Sequence, residues 1–157
     1  MKFKILVISI FLVLNGCADK TAKATSKFIK DYKIDFKVDE AVAKIGNSLK
    51  SKNYIVSSTF NHEKEALKLK QMLYPTKTLN LYNSKISTKL IQCNPSMALE
   101  IPIRVAIYSK LNGETHVVYT DPEYWSLKHN VKDAECLNLL KLIKNDLYDL
   151  KVKLGAK

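Results

Sequence analysis

Glycine and proline are scarce in this chain, with four of each in 157 residues. The glycines stand far apart, so no loop has the glycine density that a phosphate cradle needs. There is no G-x-S-x-G elbow, which leaves serine-hydrolase chemistry without its nucleophile turn. Arginine occurs once, at Arg104. Bidentate reading of phosphates and bases leans on arginine, so the net charge of +11 is read as a solvated lysine surface, and no nucleic-acid partner is expected. Cysteine occurs three times, with no C-x-x-C and no C-x-x-C-H, so thioredoxin-like chemistry and covalent haem attachment lack support. The most apolar stretch, residues 5–14, has ten residues with Ser9 its one polar member. Crossing a bilayer as a helix takes roughly 20.

That short stretch has another use. Lys2 and Lys4 precede it and Leu14-Asn15-Gly16-Cys17 follows it, the charged, apolar and small-residue order of a signal peptide. A cysteine directly after the cut has the form of a bacterial lipobox, although Asn15 is bulkier than that pattern usually has. The expected product is a lipoprotein: residues 1–16 removed, Cys17 carrying the acyl chains (palmitate or similar), and membrane lipid the first partner. Ordinary secretory cleavage and an uncut anchor are the alternatives. Ala18 gives no inner-membrane retention signal, so the expected address is the cell envelope, periplasm-facing, with the outer membrane preferred. Residues 17–30 are lysine-rich with little apolar period and read as a flexible tether. Residues 31–154, at 46% hydrophobic and 26% charged for the whole chain, suit one globular domain.

Within that domain the hydrophobic period alternates between two and 3.6. Tyr32, Ile34, Phe36 and Val38 alternate with charges and predict a strand. Asp39 is placed to cap a helix carrying Ala41, Val42, Ile45 and Leu49. Residues 54–60 predict a second strand. Asn61 caps a helix expected to run through Leu73 and stop before Pro75. Residues 78–82 predict a third strand, residues 84–93 a helix, and Asn94-Pro95 a short helical restart. Pro102 should open a strand over residues 103–108, joined by an Asn112-Gly113 hairpin to Val117-Val118-Tyr119. Asp121-Pro122 leads into a helical turn or two. Asp133 should cap a last helix whose stripe is Cys136, Leu139, Leu140, Ile143, Leu147, Leu150 and Leu154. The order β-α-β-α-β-α-β-β-α predicts an α+β fold, a mainly antiparallel sheet with helices on one face.

The segment Ile101-Pro102-Ile103-Arg104-Val105-Ala106-Ile107-Tyr108, then Asn112-Gly113, then Val118-Tyr119-Thr120-Asp121-Pro122-Glu123-Tyr124, and His129 downstream, resembles the domain-of-unknown-function family 302 (DUF302). Asn83-Ser84-Lys85 through Leu90-Ile91-Gln92 and the position of His62 are similar to its upstream pattern. Tyr82, Ser84 and Thr120 depart from it. The resemblance covers about residues 31–154. It implies a curved antiparallel sheet backed by helices, similar to the TATA-box-binding-protein fold, and it implies no particular activity.

His62 and His129 are the leading candidates for binding a metal or haem, since imidazole is a common ligand and both lie near element ends. Two histidines do not complete a zinc site, and capping or hydrogen-bonding roles are the plainer reading. His116 is expected on a solvent face, without a role. Asn83, Arg104 and Asp121 are the other candidate ligand-binding residues. The structural alternatives are a backbone-satisfying turn for Asn83, a pair with Glu100 or Asp121 for Arg104, and an Asp-Pro turn for Asp121. Cys93 and Cys136 can pair in an oxidising compartment, but both sit on apolar helix faces, so buried free thiols are the plainer reading. No nucleophile–base pair is visible and a non-enzyme is favoured. The functional expectation is a membrane-anchored module binding a small ligand, metal or haem. The alternative is an interaction lipoprotein that forms a homodimer or engages an envelope protein.

Overall fold

The computed structural model describes residues 26–156. The leader, Cys17 and the tether up to residue 25 lie outside them. Five strands form one sheet in the order β1-β5-β4-β3-β2, and every neighbouring pair is antiparallel. The strands are β1 (Ile29–Ile34), β2 (Ile55–Asn61), β3 (Thr76–Tyr82), β4 (Ile103–Ser109) and β5 (Thr115–Thr120). The helices are α1 (Val38–Lys50), α2 (His62–Lys68), α3 (Ser84–Cys93), α4 (Pro122–Lys128) and α5 (Ala134–Lys153), with a 3-10 turn over Pro95–Glu100. This is the expected α+β layering.

The period of two decides which face of the sheet is covered. Leu79, Leu81, Val105, Ile107 and Val117 are fully buried, while Arg104 between Ile103 and Val105 is exposed. The helices supply the matching surface: Ala41, Ile45 and Leu49 of α1, Leu90 of α3, and Leu140, Ile143, Leu147 and Leu150 of α5. Burying each such aliphatic side chain contributes roughly 1.5–3 kcal/mol. The stripe of α5 is thereby spent on its own domain. Leu147 is 1% exposed, so the predicted stripe is core and not a dimer surface. Among the described residues no helix is long and apolar enough to cross a membrane.

The helix starts follow their sequence signals, with one exception. Asn61, Asn83, Asn94, Asp121 and Asp133 each accept a backbone N–H of the first turn through the side chain, satisfying one of the donors that a helix start leaves open. The exception is α1. Asp39 lies inside its first turn, and Lys37 is the cap without a side-chain bond. Val38 is therefore the first helical residue rather than the last of a strand, and β1 ends at Ile34. It also begins earlier than expected, at Ile29, so residues 29 and 30 belong to the sheet and not to the tether.

Four of the five helix ends, all but that of α3, share one device. Asn53, Lys70, Asn130 and Gly155 all have positive φ. The residue after each donates to a carbonyl five back: Tyr54 to Leu49, Gln71 to Ala66, Val131 to Ser126, Ala156 to Lys151. This is the Schellman closure. Asparagine and glycine tolerate the left-handed region, whereas a lysine is strained there. Lys70 thus ends α2 after seven residues instead of letting it run to Leu73.

Candidate functional site

His129 follows α4 and is 7% exposed. Its Nε2–H donates to Glu100 Oε1 at 2.9 Å, and its Nδ1 lies 2.6 Å from Ser96 Oγ. Lys128 donates to the same Glu100 oxygen at 2.7 Å. Burial works against ionisation of Glu100, but the hydrogen bonds from Lys128 and His129 outweigh it and hold the carboxyl below its ordinary range. Asn94 Nδ2 donates to the His129 carbonyl at 2.8 Å. Both ring nitrogens are engaged, and the cluster ties the 3-10 turn to the end of α4.

His62 is elsewhere. Its Nε2 lies 2.9 Å from Thr78 Oγ1, and its ring meets Phe60 edge-on at 4.8 Å. Thr78 precedes the fully buried Leu79 and therefore faces the open side of the sheet, away from the helices. The two histidines share no partner. Among the described residues the one group of three or more possible metal ligands is Cys93, Asp133 and Cys136, which contains neither. A metal shared by His62 and His129 thus has no cluster to sit in.

The remaining candidates are dispersed too. Asn83 accepts from Ile86 N and donates to the Lys52 carbonyl at 3.1 Å, which is the strand-to-helix role. Asp121 caps α4 through Glu123 N and pairs with Lys30 at 3.0 Å. Arg104 stands exposed on the open face opposite Asn80, with no ion pair among the described residues. The expected pair with Glu100 or Asp121 does not form. Alternation turns Arg104 outward, while Glu100 is held by Lys128 and His129 and Asp121 by Lys30. Cys93 and Cys136 are joined in a disulfide rather than standing as free thiols. It links the end of α3 to the start of α5, and Cys93 is exposed, so its helix face is not the buried one that the apolar pattern suggests.

Two groupings were not singled out from the sequence. The first lies on the open face between β1, β5 and β4. His116 Nδ1 donates to Asp31 Oδ1 at 2.7 Å, the Tyr108 hydroxyl donates to Asp31 Oδ2 at 3.2 Å, and the Tyr108 and His116 rings stack at 5.4 Å. Burial first, and then the Asp31 carboxylate, push the Tyr108 phenol up to about 12. His116 is 9% exposed because Tyr108 and the neighbouring Lys33–Glu114 pair at 2.7 Å cover it. Only the register, which sets Tyr108 and His116 opposite each other, brings these residues together.

The second grouping is a cleft of about 710 Å³ between the end of α1, the start of α3 and α5. Its apolar wall is Ile86, Leu139 and Leu142, and Lys52, Lys85 and Lys89 stand around it. Lys52 bonds to Asp146 and Asp149, both at 2.6 Å. Burial opposes the charge on Lys52, and those two hydrogen bonds more than offset it, so its pKa is raised. Asp146, 6% exposed, also accepts from the Tyr54 hydroxyl at 3.0 Å. Lys89 is 3.8 Å from Glu135. Lys85 makes no ion pair among the described residues. Asn83 is the one predicted site residue that lines this cleft.

Comparison with known proteins fits this architecture. No curated protein matches the chain. It is similar to the crystal structure of an uncharacterized conserved protein DUF302 from Bacillus stearothermophilus, with a TM-score of 0.73 at 16% identity over 82% of this chain and 99% of that one. At that identity the likeness shows the fold alone. The sequence profile described as "Domain of unknown function DUF302" matches residues 30–147, which is most of the chain. The protein therefore belongs to the DUF302 family.

Proposed function

We propose that this is an exported lipoprotein, held to the cell envelope by lipid on Cys17, whose domain binds a small organic anion with an apolar body. The cleft beside α3 carries the binding half of this reading. Its volume of about 710 Å³ lies within the range of small-molecule sites, roughly 300–1,000 Å³. Its apolar wall suits a hydrocarbon or ring, and the unpaired Lys85 at the first turn of α3 suits a carboxylate or phosphate. Metal or haem is the weaker form, because His129 has both ring nitrogens engaged and His62 lies on the open face. The leader, the lipobox form around Cys17, and a disulfide that belongs to an oxidising compartment support the address.

Two measurements test it. The purified full-length gene product should have a mature mass that begins at Cys17 and includes acyl chains. An intact Met1 with bare Cys17 would overturn the lipoprotein half. Titration with dodecanoate should show saturable binding that dodecyltrimethylammonium does not reproduce, weakened at least tenfold by Lys85→Glu. Equal binding of both amphiphiles, or no binding at millimolar concentration, would overturn the ligand half. The alternative is an interaction lipoprotein. It draws on the exposed Leu142, Tyr148 and Val152 of α5, and it requires a stable dimer or complex that Tyr148→Glu disrupts.

A further inference from the structure

Exposed apolar side chains gather at one end of the sheet. The chain from the end of α2 into β3, residues 69–75, carries Leu69 at 71%, Met72 at 93% and Leu73 at 43% exposure. The α2 helix before it buries no residue. The β4–β5 hairpin carries Leu111 at 82% exposure. Thr76 pairs with Tyr108, and Ser109 N–H donates to the Pro75 carbonyl at 2.9 Å, so the first loop and the hairpin tip sit side by side. Lys70 and Lys110 stand in the same two turns, and neither has an ion-pair partner among the described residues. Residues 62–77 hold four lysines against two glutamates; Lys68 is taken by Glu65 and Lys77 by Asp39, which leaves Lys64 and Lys70 without an ion pair among the described residues.

Tips that combine bulky aliphatic residues with exposed lysines match the boundary between anionic headgroups and acyl chains. The geometry points to a second, non-covalent membrane contact at this end of the sheet, with Leu69, Met72, Leu73 and Leu111 entering an anionic bilayer surface and Lys70 and Lys110 meeting its headgroups. It rests on the lipoprotein reading, which places a bilayer within reach. The reach is sufficient. Ile29 and Thr76, at the base of the loop, are three strands and about four residues apart across the sheet, roughly 20 Å at about 4.8 Å per strand and 3.3 Å per residue, and the loop and hairpin tips project a little farther. From Cys17 to Ser26 the chain has nine steps, which extend to about 30 Å. The domain can therefore lay this end on the bilayer while Cys17 stays in it. A second copy pairing along the edge strands β1 or β2 is the competing occupant, and the test below separates it from lipid.

The test uses the full-length product reconstituted in vesicles with brominated acyl chains. A Met72→Trp substitution, at a position so exposed that the fold is unaffected, reports depth by fluorescence quenching, read against the buried native Trp125. With phosphatidylglycerol present, quenching of the added indole should be strong, and it should fall in pure phosphatidylcholine. Lys70→Asn, which keeps a residue tolerant of positive φ, combined with Lys110→Gln should lower the equilibrium constant for the quenched state about 30-fold, at roughly fivefold per basic charge. An acylated Cys17 with an unquenched probe overturns this proposal and leaves the anchor standing. A bare Cys17 with a quenched probe overturns the anchor and leaves this contact standing. Protection of the probe that depends on protein concentration and not on lipid assigns the patch to a second copy and overturns the proposal.

Discussion

Glu100→Gln is the substitution that most directly tests how the His129 cluster is held. The native carboxylate, 8% exposed, accepts from Lys128 and from the imidazole of His129, a side chain 4% exposed. A hydrogen bond to a charged group contributes about 1.5–3 kcal/mol, but Lys128 is 44% exposed and its share is nearer the 0–1 kcal/mol of surface pairs. The amide retains one acceptor for the imidazole and loses the charge. The expected cost is about 2 kcal/mol at neutral pH, or a fall in melting temperature of roughly 6–8 °C for a domain of this size. The pH dependence gives the sharper reading. A carboxyl whose folded pKa is depressed stabilises above its unfolded pKa, and that stabilisation fades as pH falls through the folded value. Thermal melts of the two proteins should therefore differ most above pH 5 and converge as the pH drops well below 4. A constant gap across that range, or no gap at pH 7, would refute the account of Glu100 as a buried charge held by its two donors.

Two further outcomes follow from the fold. Reducing the Cys93–Cys136 bridge, or replacing both residues with serine, releases a loop closed over a sequence separation of 43. The chain-entropy relation puts its contribution near 4 kcal/mol, so melting with and without dithiothreitol should differ by roughly 12–16 °C, and equal curves would show that the bridge does not form. Lys70→Gly should raise stability by about 0.5–1 kcal/mol in a urea titration, because glycine relieves the left-handed strain at φ 57. A loss of stability there would mean that the Lys70 side chain contributes more than its backbone costs.

Much of the fold was legible because local signals agreed. The residue that caps α3, α4 or α5 sits one position ahead of an apolar helical period, and Asn112-Gly113 has no other reading than a tight turn. The errors share a cause, which is that distant residues decided them. Val38 alternates with Phe36 as a strand would, yet its burial comes against the helix layer, at the first turn of α1. Nothing in the local sequence says that Lys70 accepts a strained φ. Cys93 and Cys136 each lie on a helix with its own apolar face, and only the packing of α3 on α5 brings the sulfurs together. The site was less legible still. His62 and His129 looked alike as isolated histidines, but one opens α2 and bonds to Thr78 on the open face while the other closes α4 and bonds to Glu100 in the helix layer. His116 looked incidental because Asp31, its partner, is 85 residues away. The cleft is built from three helical segments whose lining residues have no mutual spacing in sequence.

The strand order has a consequence for how the molecule is made. β1 is the first strand to leave the ribosome, but among the described residues its one neighbour is β5; the bond between Lys33 and Glu114 closes across 81 residues. The first strand must stay unpaired until almost the whole sheet has been synthesised, and α5, which seals the core beneath it, comes later still. A chain built this way cannot lock into its native shape while its last third is still being made, and late closure of this kind would suit the export proposed above.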